Sequence, residues 1–163
     1  MTAKQSRAAS GFTIIEIMAA TVILMVAVLG TSAFRYTAAL GARRADAQTT
    51  AARIGLLLTE SWRGVSDPNT FDPTPLADGF SDSTLGIDSG SVSCEAPAGF
   101  TVLGTYRITA DDFGYHAVLS WKDVEGGGLR ALNVIVAWDQ RGTKSEYHGY
   151  PDKSFELTTY VTN

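Results

Sequence analysis

The hydrophobic pattern divides the chain into a long apolar run near its N-terminus and a more polar remainder with short alternating runs. Residues 12–34 hold one charged side chain, that of Glu16, and no proline. These 23 residues would extend roughly 35 Å as a helix, whereas the hydrocarbon core of a bilayer is about 30 Å thick. The pattern therefore predicts a smooth, membrane-length helix over residues 12–34.

Helical periodicity continues over residues 35–63. Apolar residues recur there at intervals of three, four or seven, which places them on one face of a helix: Tyr36, Leu40, Ala47, Ala51, Ile54, Leu58 and Trp62. We expect this amphipathic continuation to pack its apolar face on a sheet. Gly64 and the polar stretch Ser66-Asp67-Pro68-Asn69 predict that the helix ends near residue 63.

Residues 64–98 have a different composition, in which aspartates alternate with prolines and glycines. This composition predicts an irregular, solvated connection that carries at most short elements. Some aspartate-rich loops bind calcium, but the spacing here does not match an ordered calcium loop. We therefore expect neither a metal site nor a cofactor site in this segment.

Residues 99–163 show the pattern of an antiparallel β-sheet. β-rich runs occupy residues 100–103, 106–109, 117–121 and 132–138, and Glu125-Gly126-Gly127-Gly128 predicts a hairpin turn before the last of these. The final run alternates, with one face formed by Phe155, Leu157, Thr159 and Val161. The expected fold class is α+β, in which the second half of a long N-terminal helix packs on this sheet.

Composition adds three constraints. The 163 residues suit one modest domain plus an anchor. Residues 1–11 carry Lys4, Arg7 and no acid, so their removal changes the formal net charge from −4 to −6. Because such an acidic domain is a poor general surface for nucleic acid, we expect no nucleic-acid partner. Cys94 is the only cysteine, so the chain forms no internal disulfide, and we expect Cys94 to be a partly buried small residue.

The sequence contains no recognisable catalytic constellation. His116 and His148 are its only histidines, and neither belongs to a metal-ligand cluster or a catalytic triad motif. We expect both to have structural or surface roles, and we do not expect an enzyme. Four aromatic residues can form either a recognition surface or ordinary core and cross-strand pairs: Trp121, Trp138, Tyr147 and Tyr150.

The junction between the basic leader and the apolar run carries the motif Gly11-Phe12-Thr13-Ile14-Ile15-Glu16. Over residues 5–35 the chain closely resembles the class III leader and N-terminal helix of type IV pilins and type II secretion pseudopilins. The resemblance implies that a prepilin peptidase cleaves between Gly11 and Phe12 and that Phe12 is then N-methylated. It also implies that Glu16 acts in assembly, by approaching the new N-terminal amine of a neighbouring subunit.

Two other interpretations of the N-terminal segment stay open. One is a secretory signal peptide cleaved near Thr31-Ser32-Ala33, and the other is an uncleaved signal anchor. The carboxylate of Glu16 and the length of the apolar run both argue against a signal peptide. Glu16 itself has a simpler explanation, in which its side chain extends to the nearby cytoplasmic interface.

The expected protein is a minor pilin or pseudopilin, in which residues 1–11 are the leader and residues 12–34 the transmembrane and assembly helix. Its expected location is the bacterial inner membrane, crossed once with the C-terminal domain outside the cytoplasm, and then a pilus or pseudopilus. By resemblance, its partners are the prepilin peptidase, other pilin or pseudopilin subunits, an inner-membrane assembly platform and membrane lipid. The sequence does not decide between type II secretion and a type IV pilus. The alternative from another class is a membrane-anchored or secreted ligand-binding β-rich domain.

Overall fold

The computed structural model describes residues 13–79, 85–91, 94–110, 113–124, 128–139 and 151–162. The chain divides into two compact units, Met1–Arg43 and Arg44–Asn163. One helix, α1 (Ile14–Arg63), contributes residues to both units, and the second unit contains a five-stranded antiparallel sheet. The predicted α+β class, with a long apolar N-terminal helix and an antiparallel sheet, is confirmed.

The described part of the first unit is helical from Ile14 onward. The carbonyl of Thr13 accepts hydrogen bonds from the backbone N–H groups of Glu16 and Ile17, at 3.0 and 3.2 Å. The large apolar side chains from Ile14 to Tyr36 are exposed, from 54% for Ile17 to 80% for Ile14, whereas Leu40 is partly buried. The prediction that Tyr36 packs on the sheet is wrong, since its side chain lies within this first unit and is 69% exposed.

In the second unit, the remainder of α1 buries one face. Ala51, Ile54, Leu58 and Trp62 lie in the hydrophobic core at the spacing that the sequence predicts. The helix ends at Arg63, where the backbone N–H of Gly64 lies 3.2 Å from the carbonyl oxygens of both Glu60 and Ser61. The predicted end near residue 63 is therefore confirmed.

The five strands pair in chain order, and each neighbouring pair is antiparallel. Their bounds are β1 (Gly86–Ser89), β2 (Thr101–Ala110), β3 (Phe113–Val124), β4 (Leu129–Trp138) and β5 (Lys153–Thr162). The two predicted runs at residues 100–103 and 106–109 form a single strand, β2, because a register shift between Val102 and Gly104 lets the pairing with β3 continue. Most of the predicted turn before β4 lies outside the described residues.

The connection after α1 carries short elements. Two 3-10 helices occupy Pro68–Thr70 and Thr74–Gly79, and β1 follows within the same predicted irregular segment. The indole N–H of Trp62 donates to the carbonyl of Pro68 at 2.8 Å, and the Trp62 ring stacks on Phe71 with centroids 5.9 Å apart. These contacts attach the first part of the connection to the end of the helix.

The two faces of the sheet differ in polarity. The face against α1 is apolar, with Leu119, Leu132 and Val134 fully buried in the core. On β5, Phe155 and Val161 pack against this core, as the predicted alternation requires. The opposite face carries a polar network in which the buried side chain of Asn133 donates to the exposed carboxylate of Glu156 at 2.7 Å and to the exposed hydroxyl of Thr158 at 2.9 Å.

Candidate functional site

The exposed apolar part of α1 has almost no free polar side-chain group. Between Ile14 and Phe34 the side chains with hydroxyl groups are those of Thr21, Thr31 and Ser32. Thr21 donates to the carbonyl of Met18 at 2.8 Å, and Thr31 and Ser32 donate to the carbonyl of Val28 at 3.0 and 2.9 Å. Each hydroxyl is therefore satisfied by the helix itself, which an apolar environment requires of a buried polar group.

Glu16 is the exception in this segment. No hydrogen bond or ion pair joins its carboxylate to another residue in the part of the chain that the structure describes. It borders a shallow groove of about 370 Å³ along the helix, which is otherwise lined by Ile17, Ala20, Thr21 and Leu24. A charged group beside an apolar surface has a large desolvation cost in lipid unless a partner of opposite charge approaches it.

A simpler role for Glu16 is local. It lies in the first turn of the described helix, where a negative charge interacts favourably with the helix dipole by about 0.3–1 kcal/mol when it is exposed to water. This effect stabilises the helix end and needs no partner molecule. The two roles differ in what happens when the charge is removed, because only the partner role predicts a defect in association.

The boundaries of the apolar segment match those of a membrane-spanning helix. α1 is the one helix among the described residues that is long and apolar enough to cross a membrane. Its apolar part is followed by Arg35, Tyr36 and then Arg43 and Arg44, and aromatic and basic side chains are typical of a membrane–water interface. The predicted processing residues, Gly11 and Phe12, lie outside the described residues.

A second feature lies at the end of α1 in the folded unit. A polar cavity of about 540 Å³ is lined by residues of the helix end, the following loop, β4 and β5: Arg63, Val65, Ser66, Asp67, Pro68, Asn69, Arg130, Tyr160, Val161 and Thr162. Arg63 is partly exposed and pairs with Glu60 at 3.3 Å. The cavity is polar and open to a ligand of small size, but its two arginines already have acidic partners.

Arg130 lines this cavity, and its side chain is held by several contacts. It is only 7% exposed, although arginine is seldom buried. Its Nε donates to Asp123 at 2.7 Å, one terminal nitrogen donates to Asn69 at 2.8 Å, and the guanidinium lies 4.1 Å from the centre of the Trp121 ring. Arg130 therefore joins β3, β4 and the loop after α1.

Three residues considered in the sequence analysis, Trp138, His116 and Cys94, are buried or half-buried in the folded unit. Trp138 is buried in the core and its ring is tilted against that of Tyr115, with centroids 6.4 Å apart. His116 is buried on β3, and burial together with the charge of Arg107 lowers its pKa. Cys94 is half-buried, which raises the pKa of its thiol. Two of the four aromatic residues considered for a recognition surface, Tyr147 and Tyr150, lie outside the described residues, as does His148.

Within the described ranges, no three histidine, cysteine or acidic side chains are placed to hold a metal ion together. The chain matches no family model, no curated protein and no solved structure. The geometry of α1 is therefore the main basis for a functional proposal.

The sequence indicated Glu16 and its apolar surroundings but not the Arg130 cluster. Asn69 and Arg130 are 61 residues apart, and no local spacing relates them. The sequence does show that Arg130 lies among the apolar residues of β4. This position suggests a paired charge only after the sheet register is known.

Proposed function

We propose that this protein is a minor pilin or pseudopilin, which is inserted in a membrane as a precursor and then assembled through α1 into a fibre. The observation that carries the proposal is the combination of an exposed apolar helix, internally satisfied hydroxyl groups and a single carboxylate, that of Glu16, without a partner among the described residues. A helix with these properties suits lipid and suits equally a bundle of similar helices. The resemblance of residues 5–35 to pilin precursors supports the same function.

In this proposal Glu16 specifies the position of each subunit. Cleavage between Gly11 and Phe12 creates a free amine four residues before Glu16. When the amine of one subunit approaches the Glu16 carboxylate of its neighbour, the two desolvated charges attract strongly. Dehydration offsets much of that gain, so the pair contributes mainly to register: a misplaced subunit leaves a charge in an apolar environment.

The proposed processing is tested by the mass of the N-terminal peptide. Full-length protein extracted from membranes, with and without a prepilin peptidase, should begin at Phe12 only when the peptidase is present, with the mass of a methylated residue. A start near Phe34 would instead indicate a secretory signal peptide, and an intact Met1 would indicate an uncleaved anchor. Either of these results would contradict the proposal.

The role of Glu16 is tested by three variants of the full chain. Glu16→Gln removes the charge with little change in shape, Glu16→Asp keeps the charge, and Ile17→Ala changes the neighbouring apolar position. We expect all three to be processed and inserted. Glu16→Gln should fail to enter fibres, whereas Ile17→Ala should still be incorporated. Normal incorporation of Glu16→Gln would reject the charge-pairing role and leave the helix-dipole explanation.

A second candidate function is a membrane-anchored ligand-binding domain, and the polar cavity beside Arg130 favours it. This candidate makes a different prediction: ligand binding by the folded unit depends on residues such as Tyr160 and is unaffected by Glu16→Gln.

Deletion of the gene distinguishes the two biological settings of the main proposal. Loss of secreted enzymes indicates a type II secretion pseudopilus, and loss of twitching, adhesion or DNA uptake indicates a type IV pilus.

A further inference from the structure

The last strand, β5, forms one edge of the sheet. It is ten residues long and pairs with β4 without a register shift from Lys153 to Thr162. The opposite edge, β1, has only four residues. A typical strand has about five or six residues, so β5 is a long edge and β1 a short one.

An edge strand has backbone N–H and C=O groups that point away from its neighbour. About half of the residues of β5 direct both groups outward, as in any antiparallel ladder. Beyond the ladder with β4, no backbone hydrogen bond joins β5 to another residue of the described chain. The outer edge of β5 therefore offers a row of unpaired groups to an additional strand.

β5 has little of the usual protection of such an edge. The strand contains no proline and no bulge, and its charged residues are Lys153, at its first position, and Glu156. Glu156 accepts a hydrogen bond from Asn133 of β4, so its carboxylate is turned toward the sheet rather than toward the outer edge. Natural proteins commonly block a long edge with several charges, a proline or a bulge, whereas β5 has only these two charged residues, and neither lies in its second half.

We propose that β5 pairs in antiparallel orientation with β5 of a second copy of this chain, which joins two sheets across a twofold axis. When the axis passes through Thr158, Phe155 lies opposite Val161 of the second copy and Glu156 lies opposite Tyr160. Aromatic residues paired with β-branched residues favour cross-strand contact. The register opposes no like charges, and it keeps the core-facing residues of both copies on the same side of the combined sheet.

A different register of the same pairing is less well matched. An axis through Glu156 would place two carboxylates directly opposite each other, which is unfavourable. With the axis through Thr158, nine of the ten residues of each β5 strand take part in the pairing. The resulting dimer is closed, because the twofold contact pairs the β5 edges of both copies with each other. This contact is independent of α1 and does not rest on the proposed function.

The pairing is tested by cross-linking between two exposed positions, 154 and 162, in the full chain in lipid vesicles. Cys94→Ser provides a cysteine-free background, since Cys94 is the only cysteine. One population carries Ser154→Cys and the other Thr162→Cys. In the proposed register these positions face each other, with Cβ atoms about 5 Å apart. Two copies of the same position are eight residues apart along the strand, or about 26 Å.

A short bifunctional maleimide should therefore link the mixed populations and give several-fold less dimer with either population alone. Association through α1 is the same in all three samples, so the difference reports the β5 contact only. Absence of dimer in the mixture would overturn the proposal, as would equal dimer in the single populations. Thr158→Lys, which places two positive charges on the twofold axis, should lower the yield of the mixed dimer several-fold in the same assay.

Discussion

The ring edge of Phe155 lies 3.1 Å from the position that a Cβ atom on Gly55 would occupy. Gly55 is a buried residue of α1, and Phe155 belongs to β5. The absence of a side chain at Gly55 lets the helix approach the sheet closely enough for the aromatic ring to cover the helix backbone. This contact joins the helix to the strand that we propose as an interface.

Gly55→Ala should destabilise the folded unit. Alanine favours a helix over glycine by about 1 kcal/mol, but the new methyl group would lie 3.1 Å from the Phe155 ring, so the ring or the helix must shift to admit it. Overpacking of this kind costs about 1–3 kcal/mol. We expect a lower midpoint in urea unfolding followed by tryptophan fluorescence. The control is Gly114→Ala, where no atom lies within 4 Å of the added Cβ and stability should be unchanged or slightly higher.

Gly104→Ala tests the irregularity in β2. A Cβ on Gly104 would lie 2.6 Å from the hydroxyl oxygen of Tyr106 and 2.9 Å from its ring, and Tyr106 is buried. The substitution should lower the unfolding free energy by about 1–3 kcal/mol. Gly86→Ala on β1 should have little effect, because the nearest atom, Cβ of Thr109, is 3.9 Å away. Equal stability of the two variants would contradict the close approach of Tyr106.

Arg130→Lys tests the joint between β3, β4 and the loop after α1. Lysine cannot donate in two fixed directions while its head group stacks on Trp121. We expect a loss of about 1–2 kcal/mol of unfolding free energy and faster amide exchange in residues 65–71. Arg63→Lys is the matched control, since Arg63 is an exposed partner of Glu60 and its replacement should change stability by less than about 0.5 kcal/mol. Similar losses in both variants would contradict the special role of Arg130.

The stability of the folded unit should decrease as the pH falls below about 6.5, the ordinary pKa of histidine. The pKa of His116 is lowered first by its burial and second by Arg107. The unfolded chain therefore binds a proton at a higher pH than the folded chain does, and protonation favours unfolding. Urea midpoints measured at pH 7.5 and 5.5 should differ.

Two variants assign this pH dependence to His116. Arg107→Gln removes one cause of the lowered pKa and should reduce the difference between the two midpoints. His148→Gln removes the only other histidine and should leave the difference unchanged. If His148→Gln abolished the dependence instead, the titrating group would be His148.

The parts of the fold that depend on chain-local patterns could be predicted from the sequence. The burial of Ala51, Ile54, Leu58 and Trp62 follows from helical spacing, and the alternation of β5 follows from the period of a strand. Glu16 was recognisable because a lone carboxylate within an apolar run is conspicuous. These features need no knowledge of distant residues.

Other features depend on partners far away in sequence. β1 has only four residues, and its pairing with β2, rather than its composition, makes it a strand. Tyr36 fits the apolar spacing of the helix but lies in the first unit, where it is exposed. The contacts of Arg130 with Asn69 and Trp121 follow from the sheet register and the return of the loop, so residue spacing could not predict them.

The hydroxyl groups of Thr21, Thr31 and Ser32 are bonded to the carbonyls of their own helix. A helix with this property can move from a lipid bilayer into a bundle of neighbouring helices without breaking a hydrogen bond. The two surroundings are then nearly equivalent for every residue from Ile14 to Phe34 except Glu16. A bundle of helices can offer that carboxylate a partner of opposite charge and lipid tails cannot, so a single side chain distinguishes the two surroundings.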